Sequence, residues 1–389
     1  KIDKMALDLG LASNRDSRIE CAIKYSLAIA TNNGNTCVEK QNLITFVQNL
    51  LDVEPQYIEN NLINLKARQI IAIENVEQIE WVYLNSLYCC EKNIAEKLIT
   101  LKQSKNIKKI KDFEKKFKEE EKKNDIALSQ KQKEAIKTVN ENNVCIITGG
   151  PGTGKTTIIK FIIELYKNEN KKVVLCAPTG RAAKRMSEAT GEEATTIHRL
   201  LCLGKTEETL GMERVDYQIE PIDCDVIIID EASMVDVFLM NYILKGLFIG
   251  TKIVLVGDID QLPSVGPGNV LKDIIGSGAI ETIELNEIFR QAAQSQIITN
   301  AHKVNNGESF LDVKKEELEG KLQDFFYINE PNTSKMLEDV ISLCSGRLKK
   351  FGNYDFFKDI QVLTPTKKGK LGTKELNVEL QNALNPMLN

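Results

Sequence analysis

Short apolar runs alternate with helical segments through the middle of this chain. The runs are residues 144–148, 173–177, 226–229, 253–256 and 280–285. Strands that alternate with helices along a chain are joined by crossover connections and form a parallel sheet. The sequence therefore predicts an α/β fold with a parallel sheet wound with helices.

The first apolar run leads into a glycine-rich segment with a defined spacing. Residues 149–156 match the pattern GxxxxGK[ST], and a helical run at 157–167 follows. Glycines let backbone N–H groups surround phosphate oxygens, and the positive end of the next helix adds to the attraction. Strand, loop and helix in this order predict a phosphate-binding loop, or P-loop. The predicted nucleotide contacts are Gly149, Gly150, Pro151, Gly152, Thr153, Gly154, Lys155, Thr156 and Thr157.

Two carboxylates follow the run at 226–229. Asp230 and Glu231 end an otherwise apolar strand, which should place them at the sheet edge beside the P-loop. At that edge Lys155 reaches the β- and γ-phosphate oxygens, while Thr156 and Asp230 hold Mg²⁺. Glu231 is then free to orient or deprotonate an attacking water.

A third run ends in a polar loop at the same predicted edge. Residues 252–256 are followed by Gly-Asp-Ile-Asp-Gln-Leu-Pro over 257–263. The amide of Gln261 can hydrogen-bond both a γ-phosphate and a neighbouring segment. Gln261 is therefore a candidate sensor of the nucleotide.

These segments together resemble motifs I, II and III of superfamily 1 helicases. ATP-binding kinases and transporters share the P-loop but not Asp-Glu-Ala-Ser at 230–233 or the loop at 257–263. The segments that resemble the RecD-like branch are residues 128–132 (the Q motif), 177–183 (motif Ia), 195–201 (the segment after it) and 288–291 (motif IV). The resemblance implies an ATP- and Mg²⁺-dependent DNA helicase that moves 5′ to 3′ along single-stranded DNA in recombination or repair.

The resemblance also assigns roles to individual residues. Gln132 would read adenine, and Arg290 would enter the nucleotide site from a second RecA-like domain and stabilise charge on the γ-phosphate. Thr364, after a predicted strand at 360–363, would contact DNA phosphates from that second domain. The predicted DNA contacts are Pro178, Thr179, Gly180, Arg181, Thr196, His198, Thr364 and Pro365.

The N-terminal region has a different sequence pattern. Residues 1–103 read mainly as helices and end in two β-rich runs at 69–73 and 78–84, the order of a winged helix-turn-helix, although periodicity does not fix that topology. Its candidate recognition helix at 55–66 has only Lys66 as a basic residue, which favours scaffolding or docking over duplex reading. The predicted domains are residues 1–103, a charged connecting helix at 104–125, a RecA-like motor domain at 126–284 with a small pin hairpin at about 204–220, and a partial second RecA-like domain at 285–389.

Composition and charge narrow the class of protein. No run approaches the eighteen or so apolar residues of a membrane span, and no signal pattern opens the chain, so a cytoplasmic protein without membrane contact is expected. The net charge of -4 restricts any nucleic-acid site to a local groove. Nine cysteines without CxxC spacing and two isolated histidines indicate neither a disulfide framework nor a metal site. His302, in a predicted helix at 295–304, is expected to pack or cap.

The ends of the sequence bear on the expected activity. The first residue is Lys1, and two later motifs of superfamily 1 motors do not appear before Asn389. The chain is therefore expected to be truncated at both ends, with an unfinished second motor domain and weak hydrolysis.

Two alternatives compete with a monomeric helicase that acts on single strands and single-strand/duplex junctions. A helicase module of a conjugative relaxase would accompany a histidine-bound metal, for which the two isolated histidines give no site in this chain. An ATP-binding DNA scaffold with vestigial hydrolysis would have no chemical need for intact Lys155, Asp230 and Glu231. RNA as the track is disfavoured by the resemblance alone, because phosphate contacts do not inspect the 2′-hydroxyl.

Overall fold

The computed structural model describes residue 10 and residues 16–124, 127–203, 219–287, 294–311 and 322–386. The chain divides into two compact units, Lys1–Lys321 and Leu322–Asn389. Within the described ranges, no helix combines the length and the apolar composition that a membrane span requires. All nine cysteines are free.

The first unit begins with helices around a small antiparallel sheet of order β1-β3-β2. Its elements are α1 (Asp16–Asn32), β1 (Cys37–Glu39), α2 (Lys40–Leu51), α3 (Pro55–Ala67), β2 (Ile71–Val76), β3 (Ile79–Leu84) and α4 (Asn85–Gln103). The two predicted β-rich runs form the hairpin β2–β3, in which Ile71 pairs with Leu84 and Val76 with Ile79. The sequence did not predict β1, because three residues are too few to show a period-two pattern.

The centre of the first unit is a six-stranded sheet of order β6-β5-β7-β8-β4-β9. Its strands are β4 (Val144–Gly149), β5 (Val173–Ala177), β6 (Ala194–Thr196), β7 (Val226–Ile229), β8 (Lys252–Gly257) and β9 (Glu281–Leu285). Every pairing is parallel. The predicted α/β fold with a parallel sheet is confirmed, and each predicted run is a strand with ends within one residue of the expected ones.

Helices pack on both faces of this sheet. They are α5 (Phe113–Asn124), α6 (Gln130–Glu141), α7 (Lys155–Lys167), α8 (Gly180–Thr190), α9 (Ile197–Leu200), α10 (Val237–Gly246) and α11 (Val270–Gly276). A further helix, α12 (Gln296–Asn305), has no buried residue. Alternate residues of β4 serve the two faces: Cys145 and Ile147 join a core with α6 and α7, while Val144 and Ile146 join a core that includes α4 and α10. The N-terminal helices and the parallel sheet therefore share one continuous core.

The connecting helix predicted at 104–125 is shorter than expected. Only α5 is helical, and residues 105–112 are irregular. Phe117 of α5 is buried, and its ring centroid lies 5.2 Å from that of Phe161 in α7. Helix α5 thus packs on α7 through aromatic side chains, despite its charged composition.

The N-terminal region also contacts the loop that follows β8. Helix α4 packs against α10, where the Asn241 side-chain amide lies 3.3 Å from the Cys90 thiol. The backbone N–H of Gly268 donates to the carbonyl oxygen of Gly34 at 2.9 Å. The hydrogen bond from Gly268 fixes the far end of the loop that begins after β8.

The second unit, taken by itself, consists of helices joined by irregular segments over its described residues. Its helices are α13 (Thr333–Ser342), α14 (Leu348–Gly352), α15 (Phe356–Asp359) and α16 (Thr373–Leu384). The strand predicted at 360–363 is wrong, because these residues are irregular. A strand needs a neighbour to satisfy its backbone groups, and residues 322–386 include no strand with which it could pair.

Two predicted features lie outside the described residues. One is the pin hairpin at about 204–220, of which only the last two residues are described. The other is the motif IV segment with Arg290.

Candidate functional site

The P-loop joins β4 to α7 at the carboxyl edge of the six-stranded sheet. The φ angles of Gly152 and Gly154 are +76° and +80°, a conformation that glycine adopts without strain. Gly149 is small for another reason, since a Cβ there would lie 2.9 Å from both Cβ and the carbonyl oxygen of Leu285. The glycines of the pattern therefore serve the turn of the loop and its close approach to β9.

The other P-loop side chains differ in exposure and in partners. Pro151 and Thr156 are exposed, Thr157 is half-buried, and Thr153 is buried. The hydroxyl of Thr153 donates to the carbonyl oxygen of Gly150 at 2.9 Å. The loop is thus braced internally, while the hydroxyl-bearing Thr156 at the start of α7 is open to solvent.

Lys155 is folded onto the loop that precedes it. Its ammonium group donates to the carbonyl oxygens of Gly149 and Gly150, the second at 3.0 Å. Burial lowers the pKa of Lys155, and the nearby carboxylates of Asp258, Glu231 and Asp230 oppose that shift. One buried cation therefore faces three acidic groups at this edge.

Asp230 and Glu231 follow β7 directly, as predicted. The N–H of Asp230 donates to the carbonyl oxygen of Cys176 on β5 at 3.0 Å. Glu231 has a φ of +51°, which is strained for a residue with a side chain, and its N–H donates to the Asp230 carboxylate at 2.9 Å. Burial raises the pKa of both carboxyl groups, the Asp230 charge raises that of Glu231 further, and Lys155 lowers both.

The donor set suits a hard divalent cation. The Thr156 hydroxyl and the Asp230 carboxylate are oxygen ligands of the kind that Mg²⁺ takes together with substrate phosphates. No group of three or more His, Cys, Asp or Glu side chains that could hold a metal occurs in the described ranges. Partial burial of Asp230 beside a cation is the setting in which a bound cation would relieve a desolvated carboxylate.

The loop after β8 is tied to the strand that precedes the P-loop. The hydroxyl of Thr148, buried at the end of β4, accepts from the N–H of Ile259 at 3.3 Å. Asp258 is buried, and its carboxylate accepts from the N–H of Asp260 at 3.1 Å. Gln261, the predicted sensor, lies exposed on this loop. The start of this loop is thus fixed beside the P-loop, while the side-chain amide of Gln261 is open to solvent.

Gln132 contacts the P-loop from the side. Ser129 caps α6 and forms a capping box with Gln132, whose amide oxygen accepts from the N–H of Ser129 at 3.0 Å. The amide nitrogen of Gln132 donates to the carbonyl oxygen of Thr153 at 3.4 Å. Gln132 is buried and fixes the start of α6 against the P-loop. The contact of Gln132 with adenine stays a prediction.

The predicted DNA contacts of the first unit gather at the ends of two adjacent strands. Thr179 caps α8 by accepting from the N–H of Ala182 at 3.2 Å, and Thr196 caps α9 by accepting from the N–H of Arg199 at 3.2 Å. The residues beside these caps that are exposed or half-buried are Pro178, Gly180, Arg181 and His198. Two helix N-termini, with their free N–H groups, therefore open side by side at one edge.

The contacts predicted on the second unit lie together within it. The hydroxyl of Thr364 donates to the carbonyl oxygen of Leu371 at 2.6 Å, and Pro365 is exposed.

Sequence reasoning assigned no role at the P-loop edge of the sheet to three residues that lie there. Thr148 is the one hydroxyl in an otherwise apolar strand, a signal that could have been read. The Ser233 hydroxyl is buried without a hydrogen-bond partner among the described residues. The His302 ring lies against Gly150, so it does pack as expected, but on the P-loop, which nothing in the sequence indicated.

Comparison with known proteins places this chain in a family. A family model described as an AAA domain matches residues 127–325. The ATP-dependent RecD2 DNA helicase of Deinococcus radiodurans is 35% identical over 259 residues, 67% of this chain and 33% of that protein. The RecBCD enzyme subunit RecD of Mycolicibacterium smegmatis is 28% identical over 329 residues, 78% of this chain and 57% of that subunit.

A solved structure, the Pif1 helicase from Candida albicans, aligns with 58% of this chain and 55% of its own at 24% identity and a TM-score of 0.37; a score this low establishes no common overall arrangement. The chain spans about a third of the RecD2 relative and somewhat over half of the RecD subunit. On the match to residues 127–325 and on these relatives, the chain belongs to the AAA domain family, in the RecD-like branch of superfamily 1 helicases.

Proposed function

We propose that this chain is the ATP-driven motor of a DNA helicase that couples hydrolysis to movement along single-stranded DNA and to strand separation at junctions. The observation that carries the proposal is the edge at which Lys155 meets Asp230 and Glu231 beside the P-loop. The names of the two relatives, a DNA helicase and a RecBCD subunit, support DNA as the track and recombination or repair as the setting. The 5′-to-3′ direction rests on the resemblance to RecD-like motors.

The residues at this edge divide the work of hydrolysis. Lys155 would exchange the carbonyl oxygens of its own loop for β- and γ-phosphate oxygens, which offer it negative charge. Glu231, whose pKa is raised by burial, would orient the attacking water and take its proton. Gln261 would sense the γ-phosphate, and Arg290 would stabilise charge on it.

Thr156 and Asp230 would hold Mg²⁺, which neutralises phosphate charge when bound.

The proposed DNA face consists of the predicted contacts on the first unit, Pro178, Thr179, Gly180, Arg181, Thr196 and His198. A hydrogen bond connects one of its strands to Asp230. Asp230 is hydrogen-bonded to Cys176 in β5, and Thr179 caps the helix that follows β5. A shift of Asp230 on nucleotide binding would therefore be felt one strand away, at Thr179 and Gly180. Contacts from Thr364 and Pro365 on the second unit would supply the other grip, so that alternate grips move the motor along the strand.

Three further points belong to the same proposal. Residues 285–389 are part of a second RecA-like domain, the motor acts as a monomer, and residues 1–103 form a winged-helix domain. The four helices and the β2–β3 hairpin described in that region support the last point.

The test is ATP hydrolysis by the chain with and without single-stranded DNA, after nucleotide binding has been measured. Lys155→Ala should abolish nucleotide-dependent activity, and Glu231→Gln should bind ATP while hydrolysing it about a hundredfold more slowly or worse. Lys160→Ala, a lysine on the same helix, is the matched control. A chain that binds ATP and DNA but shows no DNA-stimulated hydrolysis would favour the ATP-binding scaffold instead.

Direction and track need a separate measurement. A duplex with a 5′ single-stranded tail should be separated faster than one with a 3′ tail, and a DNA tail should outperform an RNA tail. Equal rates on both tails would contradict the proposed polarity.

A further inference from the structure

The imidazole ring of His302 lies directly on the P-loop. A Cβ placed on Gly150 would lie 2.7 Å from Cε1 and 3.3 Å from Nε2 of His302. Unlike Gly152 and Gly154, Gly150 does not have a positive φ, so its backbone conformation does not require glycine. A side chain at position 150 would therefore have to displace the His302 ring.

The Nε2 nitrogen of this ring is buried and has no hydrogen-bond partner in the part of the chain that the structure describes. Native proteins pair the large majority of such buried polar atoms. A buried, unpaired nitrogen beside a loop built for phosphate points to a ligand of that loop. Phosphate oxygens only accept hydrogen bonds, which matches an Nε2 that carries a proton.

Gly150 also accepts hydrogen bonds from two side chains of the P-loop. The carbonyl oxygen of Gly150 accepts from the Lys155 ammonium group at 3.0 Å and from the Thr153 hydroxyl at 2.9 Å. Lys155 and the His302 ring therefore contact the same residue of the P-loop.

None of the residues of α12, the helix that carries His302, is buried. The helix therefore lies at the surface, and a hydrogen bond from His302 to a ligand in the P-loop would add to the contacts that fix it.

We propose that Nε2–H of His302 donates a hydrogen bond to a phosphate oxygen of the nucleotide in the P-loop, so that the bound nucleotide holds α12 in place. The inference rests on the proposed function, because it requires a nucleotide in that loop. It makes His302 a nucleotide-contacting residue in addition to the packing residue that the sequence suggested.

The chain has two histidines, which allows a direct spectroscopic test. In a chain labelled with ¹⁵N at histidine, saturating ADP or ATPγS should shift the Nε2 resonance of His302. The resonance of His198, which is exposed on the proposed DNA face, should stay in place and serves as the internal reference. Assignment follows from the signal that disappears in His302→Phe.

Affinity measurements with fluorescent ADP and ATPγS give the second readout. His302→Phe keeps a planar ring but cannot donate, and it should weaken binding about tenfold, the loss of one hydrogen bond. His302→Gln, whose amide can donate from a similar position, should recover part of the loss. Val304→Ala, an exposed position on the same helix, is the matched control and should bind like the unmodified chain.

The outcomes separate this inference from the proposed function. If the unmodified chain binds neither nucleotide, the proposed function fails. If it binds both, a loss with ADP and ATPγS assigns the bond to the α- or β-phosphate, and a loss with ATPγS alone assigns it to the terminal one. Unchanged affinity in His302→Phe, or weaker affinity with a stationary Nε2 resonance, would overturn the role of His302.

Discussion

Replacing Lys252 with methionine should change how the free energy of unfolding depends on pH. Lys252 opens β8 and is fully buried. Its ammonium group donates to the carbonyl oxygens of Val139, Asn140 and Asn142 at the end of α6. Burial lowers the pKa of Lys252 from 10.5 to about 8, because the charged form loses its contact with water.

The sign follows from which state holds the proton. Between pH 8 and 10.5 the unfolded chain keeps the Lys252 proton while the folded chain releases it. Stability therefore rises with pH in this window, at up to about 1.4 kcal/mol per unit. Below about pH 8 both states are protonated, and this group adds no slope. Across the window, the free energy of unfolding of the unmodified chain should gain about 3 kcal/mol relative to Lys252→Met.

Urea denaturation of both chains between pH 7.5 and 10.5, with a reductant present, measures this difference. Lys137→Met, an exposed lysine on α6, is the matched control and corrects for the loss of one charge. A difference between the unmodified chain and Lys252→Met that stays flat across the window would refute the reasoning. Such a result would mean that hydrogen bonds to the three carbonyl oxygens replace those that the ammonium group loses to water, so that burial does not lower the pKa of Lys252.

Three changes elsewhere test the fold and its link to the site. Gly268→Ala adds a Cβ at a φ of +89° and 2.3 Å from Cγ2 of Val237, so it should lower the free energy of unfolding by at least about 2 kcal/mol, and a result near zero in urea denaturation would contradict that packing. Ser129→Ala removes the capping box that holds Gln132; it should cost about 1 kcal/mol and weaken binding of fluorescent ATP, which titration would detect. Phe161→Ala empties a buried ring site, and thermal denaturation should reveal a loss of about 3–5 kcal/mol, much larger than that of an exposed alanine substitution.

Much of the first unit could be predicted from local patterns. Five of the six strands of the parallel sheet are short, apolar and bounded by helices, so their ends could be placed within one residue, whereas β6 was not predicted. The spacing of Gly149, Gly154 and Lys155 is imposed by a turn that only glycine can make and by the reach of one lysine. Asp230 and Glu231 could be placed because the end of a buried parallel strand must lie at the sheet edge.

The failed predictions share a physical cause. Residues 360–363 have the composition of a strand, but strand formation depends on a partner that the described second unit does not supply. The charged segment at 104–125 gave no indication that only its second half is helical, because docking of Phe117 on Phe161 is a contact between distant parts of the chain.

The sequence by itself determined five strands of the parallel sheet, the P-loop and the acidic pair, because each depends on residues close together in the chain. The tertiary structure alone decided which distant residues meet. It set the strand order β6-β5-β7-β8-β4-β9, joined Thr148 to the loop after β8, and laid His302 on Gly150. Such contacts are selected by packing between surfaces that form only when the whole core assembles, so no local spacing records them.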